Sequence, residues 1–136
     1  MPVKIAIVTE EKSKNLSLEP QIEAYKKRMR HAILIKELSP KKLPSLLLKP
    51  GRHIALDRSG SAPTSEKFAE QLFKGEEKEF YFYLGNAAGF SPGFLEQVNT
   101  RLCLSSLTFP QHIARFLLVE QIYRASEIRK GSAYHK

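Results

Sequence analysis

The feature that most constrains the fold of this chain is the segment Phe80–Leu84, in which five apolar or aromatic residues follow one another without a break. Successive side chains of a β-strand point to opposite faces of its sheet, so both faces of such a strand must be covered. A parallel sheet with helices on both sides provides that cover. The segment therefore predicts the central strand of an α/β fold.

Strand and helix patterns alternate along the rest of the chain. Short apolar runs predict strands over residues 3–8, 32–38, 53–56 and 102–104. Apolar residues spaced three or four apart, together with capping residues, predict helices over 18–29, after Thr64 or Ser65, after Ser91-Pro92, and over 111–129. Residues 57–63 are rich in glycine and serine and have the composition of a loop. We expect a mostly parallel sheet with helices on both faces.

The last predicted helix has a middle, Phe116–Val119, that is apolar on every side, and Gly131 follows its end as a C-terminal glycine. A helix that is apolar all round must be buried all round. A chain of 136 residues with no repeat or linker is expected to form one domain, over residues 1–136. A domain of this size has few ways to bury such a helix without a partner chain. The sequence therefore predicts a homodimer that forms through this helix.

The formal charge of +8 suggests a partner that carries phosphates, such as a nucleic acid, and is also compatible with a merely soluble, basic protein. A cationic helix face, whose members are Lys26, Lys27, Arg28 and Arg30, is either a solvated surface or an RNA contact, and the pattern leaves both open. The single cysteine, Cys103, suits a reducing compartment, so we expect a cytoplasmic protein. No signal peptide or membrane span is expected from the hydropathy pattern. Four scattered histidines and one aspartate predict a protein without a metal.

Three segments can carry chemistry. Gly85–Gly89 directly follows the central strand, where glycines allow backbone amides to approach a ligand, although an ordinary turn has the same composition. Leu104–Pro110 has amides and hydroxyls suited to an adenosine moiety, or alternatively caps the last helix through Thr108. The tail from Gly131 is expected to fray unless something fixes it. Arg124 is spaced to pair with Glu120, and its guanidinium also suits a substrate oxygen.

Four motifs close the chain in a fixed order: LSSLTFP over 104–110, His112 with Arg115, EQIYRA over 120–125, and AYHK over 133–136. Upstream stand Ala55-Leu56-Asp57 with Gly60, and Tyr83-Leu84-Gly85 leading to Gly89-Phe90-Ser91. Together these motifs resemble the RlmH family of SPOUT methyltransferases, which modify a pseudouridine of large-subunit ribosomal RNA. The resemblance covers almost the whole chain and is strongest from Leu56 onward.

The resemblance implies a SPOUT-type sheet with a deep trefoil knot near the C-terminus, a rare exception to the rule that chains avoid knots. It implies a homodimer in which each site borrows residues from the other subunit. It also implies that S-adenosylmethionine binds in the knot, with these contacts: Leu56, Gly85, Asn86, Leu104, Ser105, Ser106, Leu107, Thr108 and Phe109. On the RNA side it implies His112 and Arg115, with Lys26, Lys27, Arg28 and Arg30 as phosphate contacts.

The implied reaction is methyl transfer to N3 of a pseudouridine in the helix 69 loop of 23S ribosomal RNA, on the assembled ribosome. His135 is then the candidate base, Arg124 steadies charge on the ring oxygens, and Tyr134 positions the base. Asn86 stands where the family usually has a second glycine, which leaves open a protein that binds ribosomes without catalysis. A nucleotide-dependent oxidoreductase is disfavoured because the middle glycine of its fingerprint is absent.

Overall fold

The computed structural model describes residues 2–10, 15–85 and 89–135. In chain order these residues form β1 (Lys4–Thr9), α1 (Glu19–Arg28), β2 (Ala32–Glu37), a 3-10 turn (Pro40–Lys42), α2 (Leu43–Leu47), β3 (Arg52–Ser61), α3 (Ser65–Phe73), β4 (Glu79–Leu84), α4 (Pro92–Gln97), β5 (Thr100–Leu102) and α5 (Gln111–Lys130). The predicted caps are present, since Thr64 accepts a hydrogen bond from Lys67 N–H and Ser91 accepts one from Phe94 N–H.

The five strands form one sheet in the order β2-β1-β4-β3-β5, and every pairing between neighbours is parallel. Strand β4 lies at the centre, and its two faces contact different sets of helices. Phe80 and Phe82 pack with residues of α1, α3 and α5, whereas Tyr83 packs on the opposite face with residues of α2 and α4. The expected α/β sheet with a central, fully covered strand is therefore confirmed.

Helix α5 is buried mainly by its own chain. Leu118, Val119, Ile122 and Ala125 are fully buried, and the helix packs against α1 and α3. Phe116 and Leu117, in the apolar middle, are half-buried. A single chain therefore supplies most of the cover that the sequence pattern had assigned to a second copy, and the homodimer stays a prediction. No helix in residues 2–10, 15–85 and 89–135 has the length and apolarity needed to cross a membrane.

Two strands differ from their expected bounds by more than one residue. Strand β3 continues to Ser61 through residues that were expected to be a loop, and β5 begins at Thr100 rather than at Leu102. The reason is the pairing of the two strands: Leu56 and Ser61 both lie opposite Leu102, so the residues between them form an irregularity within the ladder. Cys103 N–H then donates a hydrogen bond of 2.8 Å to the Ser61 carbonyl.

Gly60 lies at the tightest point of this irregularity. A Cβ atom at this position would lie 2.4 Å from the carbonyl carbon of Arg101 and 2.6 Å from the backbone nitrogen of Leu102. These neighbours are backbone atoms of β5, which cannot turn aside as a flexible side chain can. The absence of a side chain at Gly60 therefore allows β3 and β5 to approach, and β5 leads directly into residues 103–109.

Candidate functional site

A cavity of about 230 Å³ lies at the carboxyl ends of β3, β4 and β5. Its lining consists of residues of β3 beyond its pairing with β4, the last residue of β5, residues that follow β4 and β5, and one residue of α5: Leu56, Asp57, Arg58, Gly85, Gly89, Phe90, Leu102, Cys103, Leu104, Ser105, Leu107, Thr108, Phe109 and Ala114. Parallel α/β sheets bind ligands outside the carboxyl ends of their strands. The position of the cavity is therefore that of a ligand site.

Hydrogen bonds hold the loops around this cavity in place. Gln111, in the first turn of α5, donates from its side-chain amide to the Gly85 carbonyl at 3.0 Å and so ties the end of β4 to the helix. Within the segment after β5, the Ser105 hydroxyl accepts a hydrogen bond of 3.0 Å from Leu107 N–H. The Cys103 thiol lies 3.1 Å from the Ser105 carbonyl oxygen. The N-cap residue of α5 is Pro110, which makes no side-chain capping hydrogen bond, so the alternative in which Thr108 serves as the helix cap is wrong.

Most of the residues expected to hold a cofactor meet in this cavity. They are Leu56, Gly85, Leu104, Ser105, Leu107, Thr108 and Phe109. Ser106 is exposed and does not line the cavity, and Asn86 lies outside the described residues. Asp57, Arg58 and Phe90 also line the cavity but were not among the expected cofactor contacts. Their positions soon after a predicted strand or its turn could have indicated them.

A second polar cluster forms around α5 and the tail. The carboxylate of Glu120 accepts hydrogen bonds from Arg124 at 2.8 Å and from the Tyr134 hydroxyl at 2.9 Å. The Arg124 guanidinium lies 5.0 Å from the centre of the Tyr134 ring, and Tyr25 of α1 lies within 3.3 Å of the Tyr134 hydroxyl. The tail up to His135 is therefore fixed on the helix instead of frayed.

The protonation of this cluster follows from its contacts. The hydrogen bond to Glu120 raises the pKa of Arg124, so the guanidinium stays charged. Burial, followed by the hydrogen bonds to Tyr25 and Glu120, raises the pKa of Tyr134 above its ordinary value, so its hydroxyl stays protonated. Tyr134 is consequently a hydrogen-bond donor here and is unsuited to accept a proton near neutral pH.

His135 uses both of its ring nitrogens within the chain. Nδ1 lies 3.0 Å from Nη1 of Arg124, and because a guanidinium can only donate, Nδ1 is the acceptor. Nε2 lies 3.3 Å from the Glu66 carboxylate and therefore carries the hydrogen of a neutral ring. A hydrogen bond to its own backbone N–H and then the one to His135 lower the pKa of Glu66. His135 must release one partner before it can accept another proton.

The tail cluster and the cavity are separate within one chain. Arg124, Tyr134 and His135 do not line the cavity. Arg124 lies ten residues beyond Ala114 on the same helix, which corresponds to about 15 Å at the rise of an α-helix. A single chain therefore does not bring the candidate catalytic groups to the candidate cofactor cavity.

The residues expected to contact RNA lie in three different settings. His112, in the first turn of α5, is half-buried. Lys26 pairs with Glu23 at 3.2 Å, and Arg28 lies over the Tyr25 ring, whereas Lys27 and Arg30 are exposed. Arg115 is 3% exposed and forms an ion pair with Glu19 of α1, so in this structure it joins two helices rather than reaching toward a substrate.

The pair between Arg115 and Glu19 leads to a stability prediction. Replacing Glu19 with glutamine leaves a buried guanidinium without its counter-charge, and we expect it to lower the free energy of unfolding by about 2 kcal/mol, discounted because Glu19 is partly exposed. An Arg115→Met variant removes the buried charge itself and is expected to cost less. Urea denaturation of the two variants beside the parent tests this order. The reverse order would show that the attraction between Glu19 and Arg115 contributes more to the free energy of unfolding than the desolvation of Arg115 costs.

Among the described residues, no group of three or more histidine, cysteine or acidic side chains is arranged to hold a metal ion.

Comparison with known proteins gives consistent matches along the whole chain. A family model described as "Predicted SPOUT methyltransferase" matches residues 1–135. The ribosomal RNA large subunit methyltransferase H of Coprothermobacter proteolyticus is 38% identical, covering 98% of this chain and 100% of the relative. The protein of the same name from Clostridium beijerinckii is 35% identical, with the same two coverages.

A likeness in structure agrees with these sequence matches. The structure of a probable methylase family protein from Haemophilus influenzae Rd KW20 has a TM-score of 0.68 to this chain at 12% identity. The match covers 97% of this chain and 70% of that one. At this level of identity the likeness shows a shared fold.

Proposed function

We propose that this chain, which belongs to the RlmH family of SPOUT methyltransferases, methylates ribosomal RNA of the large subunit. The substrate we propose is N3 of a pseudouridine in the helix 69 loop of 23S ribosomal RNA, presented by the assembled ribosome. The observation that carries the proposal is the cavity at the carboxyl ends of the strands, which gathers seven of the nine residues that the family resemblance assigns to the cofactor.

The residues of the cavity suit S-adenosylmethionine. Leu56, Leu104 and Phe109 offer apolar surface for an adenine ring, and the backbone near Gly85 and Ser105 offers polar groups for the ribose and the amino acid end. When bound, this cofactor supplies a methyl group, whose bond to the sulfonium sulfur breaks as the bond to N3 forms. The cavity of about 230 Å³ is smaller than the range of roughly 300–1,000 Å³ that is usual for ligand pockets, as expected for a site that a second chain completes.

The tail cluster supplies the groups that handle the substrate. N3 of pseudouridine carries a proton that must leave as the methyl group arrives, and His135 accepts it through a ring nitrogen. Arg124, held charged by Glu120, stabilises the negative charge that spreads to the ring carbonyl oxygens. Tyr134, which remains protonated, donates a hydrogen bond to or stacks against the base.

The site is formed by two copies of the chain. In this proposal the tail cluster of one copy meets the cavity of the other, which overcomes the separation of about 15 Å along α5. Leu107, at the cavity, is 70% exposed in the single chain and gives a second copy an apolar surface to cover. A closed dimer with two equivalent sites satisfies both requirements.

Cofactor binding tests the proposal. A Gly85→Val variant places a branched side chain beside Phe90, because a Cβ atom at this position already lies 3.3 Å from the Phe90 ring. We expect calorimetric titration with S-adenosylmethionine to show an affinity at least about tenfold weaker than that of the parent. Gly93→Val is the control, because a Cβ at Gly93 in α4 has no atom within 4 Å.

The outcomes distinguish a methyltransferase from a ribosome-binding protein without catalysis. Binding by the parent and by Gly93→Val, but not by Gly85→Val, supports a methyltransferase with its donor at this cavity. If the parent binds no cofactor either alone or with ribosomes present, the alternative of a ribosome-binding protein without catalysis replaces it. Equal affinity in all three proteins would place the cofactor elsewhere.

A further inference from the structure

A cavity lined by cations lies at the amino ends of the strands, whereas the proposed methyl-transfer site lies at their carboxyl ends. It has a volume of about 320 Å³ and lies where the chain enters β1, β2 and β4. Its charged lining comes from three separate parts of the chain: Arg28 and Arg30 around the end of α1, Lys78 before β4, and Arg129 and Lys130 at the end of α5. The proposed function uses neither this cavity nor three of these five side chains.

Most of the charge in this cavity has no carboxylate partner among the described residues. Its lining contains no aspartate or glutamate. Lys130 pairs with Glu127 at 3.0 Å, but within the described ranges no carboxylate lies within 4.0 Å of the side-chain nitrogens of Arg30, Lys78 or Arg129. Bringing several like charges together costs free energy unless an anion joins them.

Helix electrostatics explain only part of this arrangement. Arg28, Arg129 and Lys130 lie in the last turns of α1 and α5, where cations are favoured by the helix dipole. Arg30 and Lys78 lie outside both helices, in the segments that enter β2 and β4. Their convergence on the same cavity therefore needs another explanation.

The walls of the cavity are held together by hydrogen bonds. Val3 N–H donates to Nδ1 of His31 at 3.0 Å, and Lys4 N–H donates to the Lys78 carbonyl at 2.8 Å. The His31 ring stacks on Phe73 at 4.7 Å. Burial, and then neighbouring positive charges that include Arg30 and Lys130, lower the pKa of His31. The cationic groups are thus presented from a fixed frame, which limits the ordering cost of binding an anion.

We infer that this cavity binds phosphate groups of the ribosomal RNA backbone, at a point remote from the nucleotide that is methylated. The inference rests on the proposed function for the identity of the RNA. Arg129 lies fifteen residues beyond Ala114 of the cofactor cavity, which is about 22 Å along α5. At that separation the cavity fixes the orientation of the enzyme on the ribosome, as phosphate contacts do, without reading sequence.

The test compares two triple variants of equal charge. Arg30→Gln, Lys78→Gln and Arg129→Gln together remove three cations of the cavity that have no carboxylate partner among the described residues, and all three side chains are exposed. The control, Lys41→Gln, Lys42→Gln and Lys49→Gln, removes three exposed lysines of another surface. Binding to assembled ribosomes that lack the methyl group is measured over a range of salt concentrations, and cofactor titration checks that both variants are folded.

Loss of three phosphate contacts is expected to reduce the slope of log affinity against log salt by about 2, and to weaken binding at low salt by about tenfold or more. The control variant is expected to change the slope by less than about 1. Identical behaviour of the two variants overturns the inference, and so does a parent chain that does not bind assembled ribosomes at all. A parent that binds through this cavity but transfers no methyl group contradicts the proposed function and leaves the cavity inference standing.

Discussion

A His135→Ala variant is expected to transfer methyl groups to ribosomes about 10²–10⁴ times more slowly than the parent at saturating substrate, with unchanged affinity for S-adenosylmethionine. The physical reason is the proton on N3, which then loses its proposed acceptor, because the neighbouring Glu66 carboxylate has a lowered pKa and is a weak base. Glu120 is occupied by Arg124 and Tyr134, and Tyr134 is itself protonated. Single-turnover methyl transfer to ribosomes without the modification gives the rate directly.

Two further measurements separate a base from a residue that merely holds the tail. Added imidazole is expected to restore part of the turnover of His135→Ala, because a small base can enter the space that the side chain leaves. Glu66→Ala removes one hydrogen-bond partner of His135 and keeps the ring, so we expect it to retain most of the activity. An inactive Glu66→Ala variant, together with no rescue by imidazole, would assign His135 a structural role.

Replacing Gly60 with alanine is expected to have the largest effect on stability, a loss of about 3 kcal/mol or more in the free energy of unfolding. The added Cβ would meet the Arg101 backbone at 2.4 Å, so β5 must move away from β3. Because residues 103–109 follow β5 and all of them except Ser106 line the candidate cofactor cavity, cofactor affinity is expected to fall with stability. Thermal or urea denaturation and calorimetric titration measure the two effects.

Gly75→Ala is the matched control, because a Cβ there has no atom within 4 Å. Its stability is expected to stay within about 0.5 kcal/mol of the parent, as is usual for surface substitutions. If Gly60→Ala were equally harmless, the irregularity in β3 would have room to relax, and the close approach to β5 would not be a requirement of the fold.

The parts of the fold that sequence patterns predicted well are those that depend on local requirements. Phe80–Leu84 must be covered on both faces wherever it lies, so its central position followed from its own residues. The end of α5 at Gly131 and the caps Thr64 and Ser91 are likewise properties of a few consecutive residues. The gathering of residues from the ends of β3, β4 and β5 followed from the parallel arrangement of the strands.

The differences arose where the decisive partner is distant in sequence. Residues 57–61 have loop composition, but pairing with Leu102 and Cys103 extends β3 through them. Arg115 was expected on the RNA side of the site. In the structure it is buried and pairs with Glu19, which lies 96 positions away in the chain. The fixed position of the tail depends in the same way on Tyr25 and Glu66, which no pattern within residues 131–136 indicates.

The two-copy site proposed above would make protein concentration a control on the reaction. In that proposal each chain carries a cavity near Ala114 and a candidate catalytic cluster near Arg124, and the two meet only between paired chains. By mass action, dilution below the dissociation constant of the dimer leaves chains that hold every required residue and transfer no methyl group. Activity per chain is then expected to rise with concentration until all chains are paired. A single chain would leave the methyl group on its donor.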